Sequence, residues 1–299
     1  MERRSFIKNT SIAAAAFAAG SSLSLTKKNT NPLPEWRGFN LLDFFSPYPE
    51  QHNTTTEEHF KWMRDWGFDF VRIPIAYPRY LNIDRTKNIT AEDVYKIDPK
   101  AVDDIDKLVQ MANKHDLHVS VNLHRAPGYC VNAGFHEPFN LWRDEAAQNA
   151  FYFHWNMWAK RYKNVSNKYI SFDLVNEPST REDMNDQYST RGPVPGDVYR
   201  KVAMGARDAI RKETPDRLVI ADGNNTGSDV IPELIDLDIA QSCRGYYPGQ
   251  ISHYKAPWAN KDTVNLPEPK WPGQVGDKYL SRTMLEEFYK PGSNSPGRV

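Results

Sequence analysis

Ile170-Ser171-Phe172-Asp173-Leu174-Val175-Asn176-Glu177-Pro178 is an apolar, β-prone run that stops abruptly in Asn-Glu-Pro. A strand with this ending presents one carboxylate at its C-terminal tip. Pro178, lacking an N–H, ends ladder pairing there. In a parallel α/β barrel the side chains at strand tips line the active site. An Asn directly before such a Glu can hold a substrate hydroxyl while the Glu moves a proton. Taken alone, Asn-Glu-Pro is equally the end of a strand with a surface glutamate. What separates the two readings is the rest of the chain, which repeats strand–loop–helix units on both sides.

Upstream, Arg37 to Leu42 reads as the first strand. Thr56-Glu57-Glu58 opens the first helix with a capping residue and early acids, and Gly67 closes it. Phe70-Val71-Arg72-Ile73-Pro74 reads as the second strand, interrupted by one Arg and ended by Pro. Asp98-Pro99 starts the second helix, whose stripe is Ala101, Val102, Ile105, Leu108, Val109 and Ala112. The third strand, His118 to Leu123, runs into His124-Arg125-Ala126-Pro127-Gly128. A third helix over about Asp144 to Tyr162 is expected to bury Phe151, Trp155, Trp158 and Ala159.

Downstream, the fourth helix covers about Val198 to Glu213, and Leu218 to Ala221 is the fifth strand, ended by Asp222-Gly223. A short helix near Asp229 to Leu237 precedes the sixth strand, Ile239 to Ser242. A long aromatic loop follows, carrying Tyr246, Tyr247, Tyr254, Trp258 and Trp271. A sixth helix is expected over about Asp277 to Tyr289, then a disorder-prone tail from Pro291 to Gly297.

This alternation argues a parallel sheet with crossover helices. It closes either as an open doubly wound sheet or as a (β/α)8 TIM barrel. No Gly-rich phosphate loop follows the first strand, which weighs against a nucleotide-binding open sheet. Arg72, His124, Asn176-Glu177, Asp222 and Arg244 all fall at strand ends, which is the barrel habit. The count is six strand–helix units rather than the eight of a full barrel.

The chain has 299 residues, enough for one large α/β domain. Its 38 basic and 38 acidic residues cancel, so no charge field points to nucleic acid or an anionic membrane. Residues 1–30 read as an address and linker, and 31–299 as the barrel domain. Arg3-Arg4-Ser5-Phe6-Ile7-Lys8 fits a twin-arginine export signal. Ile12 to Ala19 is too short to span a bilayer, and Ala16-Phe17-Ala18 offers a cleavage site. A frayed Ala-rich helix on a cytosolic protein is the alternative. The expected location is therefore the periplasm or the medium of a bacterium, with no membrane attachment once the signal is removed. Cys130 and Cys243 are too few for a disulfide framework and wrongly patterned for zinc. Two free thiols are expected, although both lie after strands and pairing stays open.

With these motifs in place, residues 36–289 resemble glycoside hydrolase family 5, the cellulase family of (β/α)8 barrels. The resemblance rests on Val-Arg72-Ile-Pro, Leu-His124-Arg-Ala-Pro-Gly, Asp-Leu-Val-Asn176-Glu177-Pro and Ser-Cys-Arg244-Gly-Tyr246-Tyr-Pro. At the last, the family usually has His, any residue, then Tyr. Here Arg244 stands in the His place and Tyr246 keeps the Tyr, while His253-Tyr254 lies further along the same loop. The resemblance implies that Glu177 is the general acid/base and that Asn176 binds the hydroxyl next to the reacting carbon. It also implies that Arg72 steadies a nucleophilic carboxylate, and that His124 and Tyr246 line the cleavage point. Arg244, Tyr247, His253, Tyr254 and Trp258 are the candidate substrate-binding residues. A structural ion pair for Arg72, a satisfied half-buried His124 and plain loop packing for the aromatics are the bland readings.

The implied substrate is a β-linked polysaccharide or oligosaccharide, cleaved with retention. No cofactor and no metal are called for, because two carboxylates suffice. The second carboxylate is missing: the family carries it at the tip of a seventh strand, and no seventh or eighth strand follows here. Glu286 and Glu287 sit in a helical pattern instead. The chain therefore reads as an incomplete barrel, with the nucleophile not found and a monomer expected for the complete form. The competing reading is a catalytically dead or carbohydrate-binding fragment; a metal-dependent lyase barrel is weaker, lacking a His/Asp/Glu cluster. Open strand edges would leave the isolated chain aggregation-prone or molten.

Overall fold

The second strand does not stop at its proline. In the computed structural model, which describes residues 33–132, 137–183 and 186–293, β2 runs over Phe70–Ala76, through Pro74. It lies between β1 (Gly38–Asn40) and β3 (His118–Ala126), but β1 pairs with it only as far as Asn40 opposite Arg72. Arg72 turns its carbonyl toward β1, accepting from Leu41 N–H at 2.8 Å. Pro74, two residues on, has its nitrogen on that same side, where the ladder has already ended. The missing N–H therefore costs no bond, and Pro74 stays in register with Asn122.

The remaining strands follow in chain order. β4 (Tyr129–Cys130) folds back antiparallel on the end of β3. β5 (Ile170–Asp173) pairs parallel with β3. β6 (Thr180–Arg181) and β7 (Arg191–Gly192) form a separate small hairpin. β8 (Val219–Asp222) pairs with β5, and β9 (Ala240–Ser242) with β8. The six parallel strands thus run β1-β2-β3-β5-β8-β9, each beside its predecessor in sequence. A doubly wound sheet reverses order at a switch point. This one does not, so it is the singly wound sheet of a (β/α)8 barrel. The described residues supply six of the eight strands that such a barrel has.

Four helices cover the outer face: α1 (Glu57–Asp65), α2 (Pro99–Lys114), α3 (Glu145–Arg161) and α4 (Gly196–Arg211). Thr56 and His59 form a capping box on α1. Asp98 caps α2 by accepting from Lys100 N–H at 3.0 Å, and Pro99 follows at the first helical position. Val102, Ile105, Leu108, Val109 and Ala112 are buried on α2, and Phe151, Trp155, Trp158 and Ala159 on α3, as the periodicity predicts, while Ala101, also in the predicted stripe, is only half-buried at the start of α2.

Two expected helices differ. The helix near Asp229 to Leu237 is only a 3-10 turn, Pro232–Leu234, because Pro232 falls where the helix would need an N–H. The helix expected from Asp277 begins at Arg282 instead and spans Arg282–Ser293. Ahead of it, β10 (Gly273–Val275) and β11 (Lys278–Leu280) form a hairpin. Gly276, with φ of +60°, opens its two-residue turn before Asp277. The proposed signal segment and the tail beyond Ser293 lie outside the described residues. Cys130 and Cys243 are free thiols. Among the described residues no helix is long and apolar enough to cross a membrane.

Candidate active site

Polar side chains point inward from the strand ends because each strand alternates faces. On β3, Ser120, Asn122 and His124 share the inner face, while Val119, Val121 and Leu123 meet the helices. Arg72 on β2 reaches across β3: its Nε donates to Asp173 Oδ2 at 2.7 Å, and its second terminal nitrogen to Asn176 Oδ1 at 3.0 Å. Arg244, just past β9, reaches the same amide from the other side, donating to Asn176 Oδ1 at 2.9 Å. With two guanidinium donors on its oxygen, Asn176 presents its NH2 end as a donor.

Glu177 sits in the left-handed region with φ of +48°, a conformation seldom used by non-glycine residues. Both ends of its peptide unit are held. Its N–H donates to Asp222 Oδ2 at 2.9 Å, and its carbonyl accepts from Tyr129 hydroxyl at 2.5 Å. Its carboxylate, 18% exposed, accepts from Arg244 Nε at 3.1 Å. Strain of this kind persists only where surrounding structure over-determines it.

Two more carboxylates stand beneath Glu177, and both are buried. Asp222 is enclosed completely and accepts from Arg244, Ser242 hydroxyl and Glu177 N–H, with Arg72 at 3.8 Å. Burial alone would raise its pKa. Arg244 and Arg72 outweigh burial and hold the group below the ordinary carboxylate value. Asp173 goes the other way: burial first, then the neighbouring Asp222, push it up to about 6. Burial works against the charge on Arg244, but Asp222, Glu177 and Asp173 together raise its pKa.

His124 is half-buried, its ring 4.3 Å from that of Phe45 and its Nε2 3.4 Å from Asn132 Oδ1. Burial, then Arg72, lower its pKa to about 3, so the ring is neutral at ordinary pH. It forms one wall of a cavity of about 440 Å³ that continues along Phe45, Tyr48, His52 and Asn53. Glu177 and Tyr246 are not in its walls. Tyr246 is 45% exposed and meets His253 edge-on at 5.1 Å.

The other predicted binding residues spread out. Tyr247 stacks on Phe288 of the C-terminal helix at 3.8 Å, and its N–H donates to Tyr289 hydroxyl. Tyr254 carries Lys255 over its ring. Trp258 is 60% exposed, and its carbonyl accepts from Gln187. Arg72, Asn176, Glu177 and Arg244 are thus joined by hydrogen bonds, whereas Tyr247 belongs to a packing contact.

Sequence reasoning missed Asp173, Tyr129 and the loop from Phe45 to Asn53. Asp173 had a signal: a lone acid inside an apolar strand calls for a buried cation, and Arg72 is the lone base in its own strand. Tyr129 had none, since its role depends on the fold-back of β4. Among the described residues no group of three or more His, Cys, Asp or Glu side chains is placed to hold a metal.

Residues 25–280 match the model of the cellulase family, glycosyl hydrolase family 5. Endoglucanase C of Acetivibrio thermocellus is 30% identical over 262 residues, covering 85% of this chain and 67% of the endoglucanase. Cellodextrinase A of Ruminococcus flavefaciens is 26% identical over 210 residues, covering 69% of this chain and 55% of its own length. The crystal structure of a glycoside hydrolase superposes with a TM-score of 0.75 at 33% identity, covering 87% of this chain and 76% of that one. A hyperthermophilic endo-beta-1,4-glucanase, at 22% identity and a TM-score of 0.59, shares the fold over 86% of this chain and 75% of its own. By sequence and by fold, this chain belongs to glycosyl hydrolase family 5.

Proposed function

We propose that this chain carries the acid/base half of a retaining, endoglucanase-type glycosidase acting on β-linked glucans, with Glu177 as general acid/base. The observation that carries this is the fixed Glu177: a strand-tip carboxylate on a strained residue, clamped through both backbone groups and reached by Arg244. Asn176 offers its amide N–H to the hydroxyl beside the reacting carbon. Arg72 lies next to where a second carboxylate would attack. His124, neutral, and Tyr246 flank the cleavage point, and Trp258 and Tyr254 extend the binding surface. Arginine-motif export at the N-terminus would place the enzyme outside the bacterial cytoplasm, where polysaccharide is met.

Retention needs a second carboxyl about 5–5.5 Å from the first, open to the anomeric carbon. Asp173 and Asp222 are buried beneath Glu177 and do not serve. A further strand-tip carboxylate must supply the nucleophile, and a small anion can stand in for it. Azide attacks the anomeric carbon from the face opposite the aglycone. The C–O bond breaks, and the Glu177 proton goes to the leaving oxygen.

The experiment is hydrolysis of aryl β-cellobiosides by this chain with and without azide. The expected result is azide-dependent release of phenol with an α-cellobiosyl azide product, lost in Glu177→Gln for a phenyl leaving group. A second reading, glycan binding without turnover, is favoured by the exposed Tyr246 and Trp258. Binding of cellotetraose by calorimetry with no azide-dependent product would establish it in place of the first.

A further inference from the structure

The turn after β8 contains three consecutive left-handed residues: Asn225 at φ +51°, Thr226 at +59° and Gly227 at +84°. A β-branched residue in that region is a genuine outlier. The turn is held from outside. Asn224 side chain bonds both backbone groups of Val194, at 2.8 and 2.7 Å. Thr226 N–H donates to Pro178 carbonyl at 3.0 Å, tying the turn to the segment that follows Glu177. What the turn encloses is Arg244. Gly227 carbonyl accepts from Arg244 N–H at 2.9 Å. A Cβ placed on Gly227 would lie 2.5 Å from Arg244 Cγ. The stem is thus wrapped by the turn, and the guanidinium is gripped by both oxygens of Asp222. Its other donors go to Glu177 and Asn176.

We infer that the Asn225–Gly227 turn and Asp222 form a positioning device that acts through Arg244 to aim the Glu177 carboxylate and the Asn176 amide. Asp222 also holds Glu177 directly, through its N–H. The inference rests on the reading of Glu177 as acid/base. It explains how a guanidinium is held against Glu177 and Asn176. A guanidinium is longer than an imidazole, so its stem needs a channel, and glycine at position 227 leaves that channel open. Its fixed charge needs a buried counter-charge, and Asp222 provides one.

Gly227→Ala tests this without touching a charged group. Two aryl β-cellobiosides are compared, with azide as nucleophile: phenyl, which needs acid assistance, and 2,4-dinitrophenyl, which does not. Gly227→Ala is expected to lower kcat on the phenyl substrate about ten- to a hundredfold, with KM held within about twofold. On the dinitrophenyl substrate the loss stays under about threefold. In an Arg244→Ala background, Gly227→Ala adds nothing further, since both act on one group. Equal losses on both substrates, or additive losses in the double variant, overturn the inference. A crystal structure of Gly227→Ala reads the same point without activity. Withdrawal of the Arg244 guanidinium from Glu177 and Asn176 supports it, and an unmoved guanidinium overturns it. Should the wild-type chain show no azide-dependent turnover, the acid/base reading fails while this structural outcome still decides the positioning. Where Gly227→Ala does not fold, Asp222→Asn keeps the shape, removes the charge and is judged by the same measurements.

Discussion

Arg72 and Asp173, 101 residues apart in sequence, share a 2.7 Å charge-assisted hydrogen bond across β3. The acid in this pair carries its proton to about pH 6, against an ordinary value of 3.8, through burial and then through Asp222. Between those values the folded chain binds more protons here than the unfolded chain does. The stability contribution of Asp173 is therefore complete below about 3.8 and lost as pH rises through about 6. Urea unfolding of wild type and Asp173→Asn, from pH 4 to 7, isolates it. Their stability difference is expected to shift against wild type as pH rises, by up to about 1.4 kcal/mol per unit, and to level off near neutrality. A difference that moves in wild type's favour would contradict the burial argument.

His154 gives the opposite slope. It is fully buried on the inner side of α3 against Tyr80, whose hydroxyl lies 3.1 Å from its Nδ1. Burial lowers its pKa from 6.5 to about 3. The unfolded chain takes up a proton here first, so this contribution is present above about 6.5 and is lost as pH falls toward 3. His154→Gln should flatten the acid limb of the stability curve relative to wild type, measured by the same unfolding series. An unchanged acid limb would mean that the imidazole is solvated.

Tyr129→Phe removes the phenolic hydroxyl, which donates to Glu177 carbonyl and neighbours Ser179 hydroxyl. The ring stays packed edge-on against Trp142 at 5.1 Å. Loss of a buried hydrogen bond of this kind costs about 1–3 kcal/mol. Calorimetry should show a lowered Tm with folding intact. Phenyl β-cellobioside turnover should fall further than dinitrophenyl turnover, because the clamp on Glu177 is half removed. Equal turnover on both would leave Tyr129 as packing alone.

The barrel was legible where local signals and burial agree. The stripe on α2, the aromatics of α3 and the apolar runs of the strands each have one periodicity and one solution. Pro74 misled because its effect depends on how far β1 extends, which is a tertiary fact. Asp277 misled because a Gly-Asp turn and a helix start share the same acid. At the site, Arg72, Asn176, Glu177 and Arg244 were readable as strand-tip polar residues. Asp173 was readable only as a lone acid calling for a buried cation, and Tyr129 was not readable at all, since it arrives on a folded-back strand. Tyr247 stacks on Phe288, a pairing 41 residues apart that no spacing rule finds.

The outer edge of β1 has no partner among the described residues, and Phe39 on β1 and Trp62 and Trp66 on and just after α1 are 41%, 44% and 66% exposed. An unpaired strand edge together with exposed aromatic side chains favours self-association. Sedimentation of residues 31–299 should show concentration-dependent association. Phe39→Lys with Trp66→Lys should suppress it while leaving Tm nearly unchanged. A monomer at all concentrations would show that this edge is covered.

Because sheet order equals chain order, the polypeptide leaving a ribosome can add each strand to the one made just before it. The charged groups of the site then emerge in a fixed series: Arg72, Asp173, Glu177, Asp222 and last Arg244. Until β9 is released, three acids share a single guanidinium, and their mutual repulsion opposes burial. Arg244 follows Asp222 by 22 residues and adds the second guanidinium. Burial of the acids is therefore least opposed once the segment just past β9 has been made, and Arg244 is the last charged group of the site to arrive.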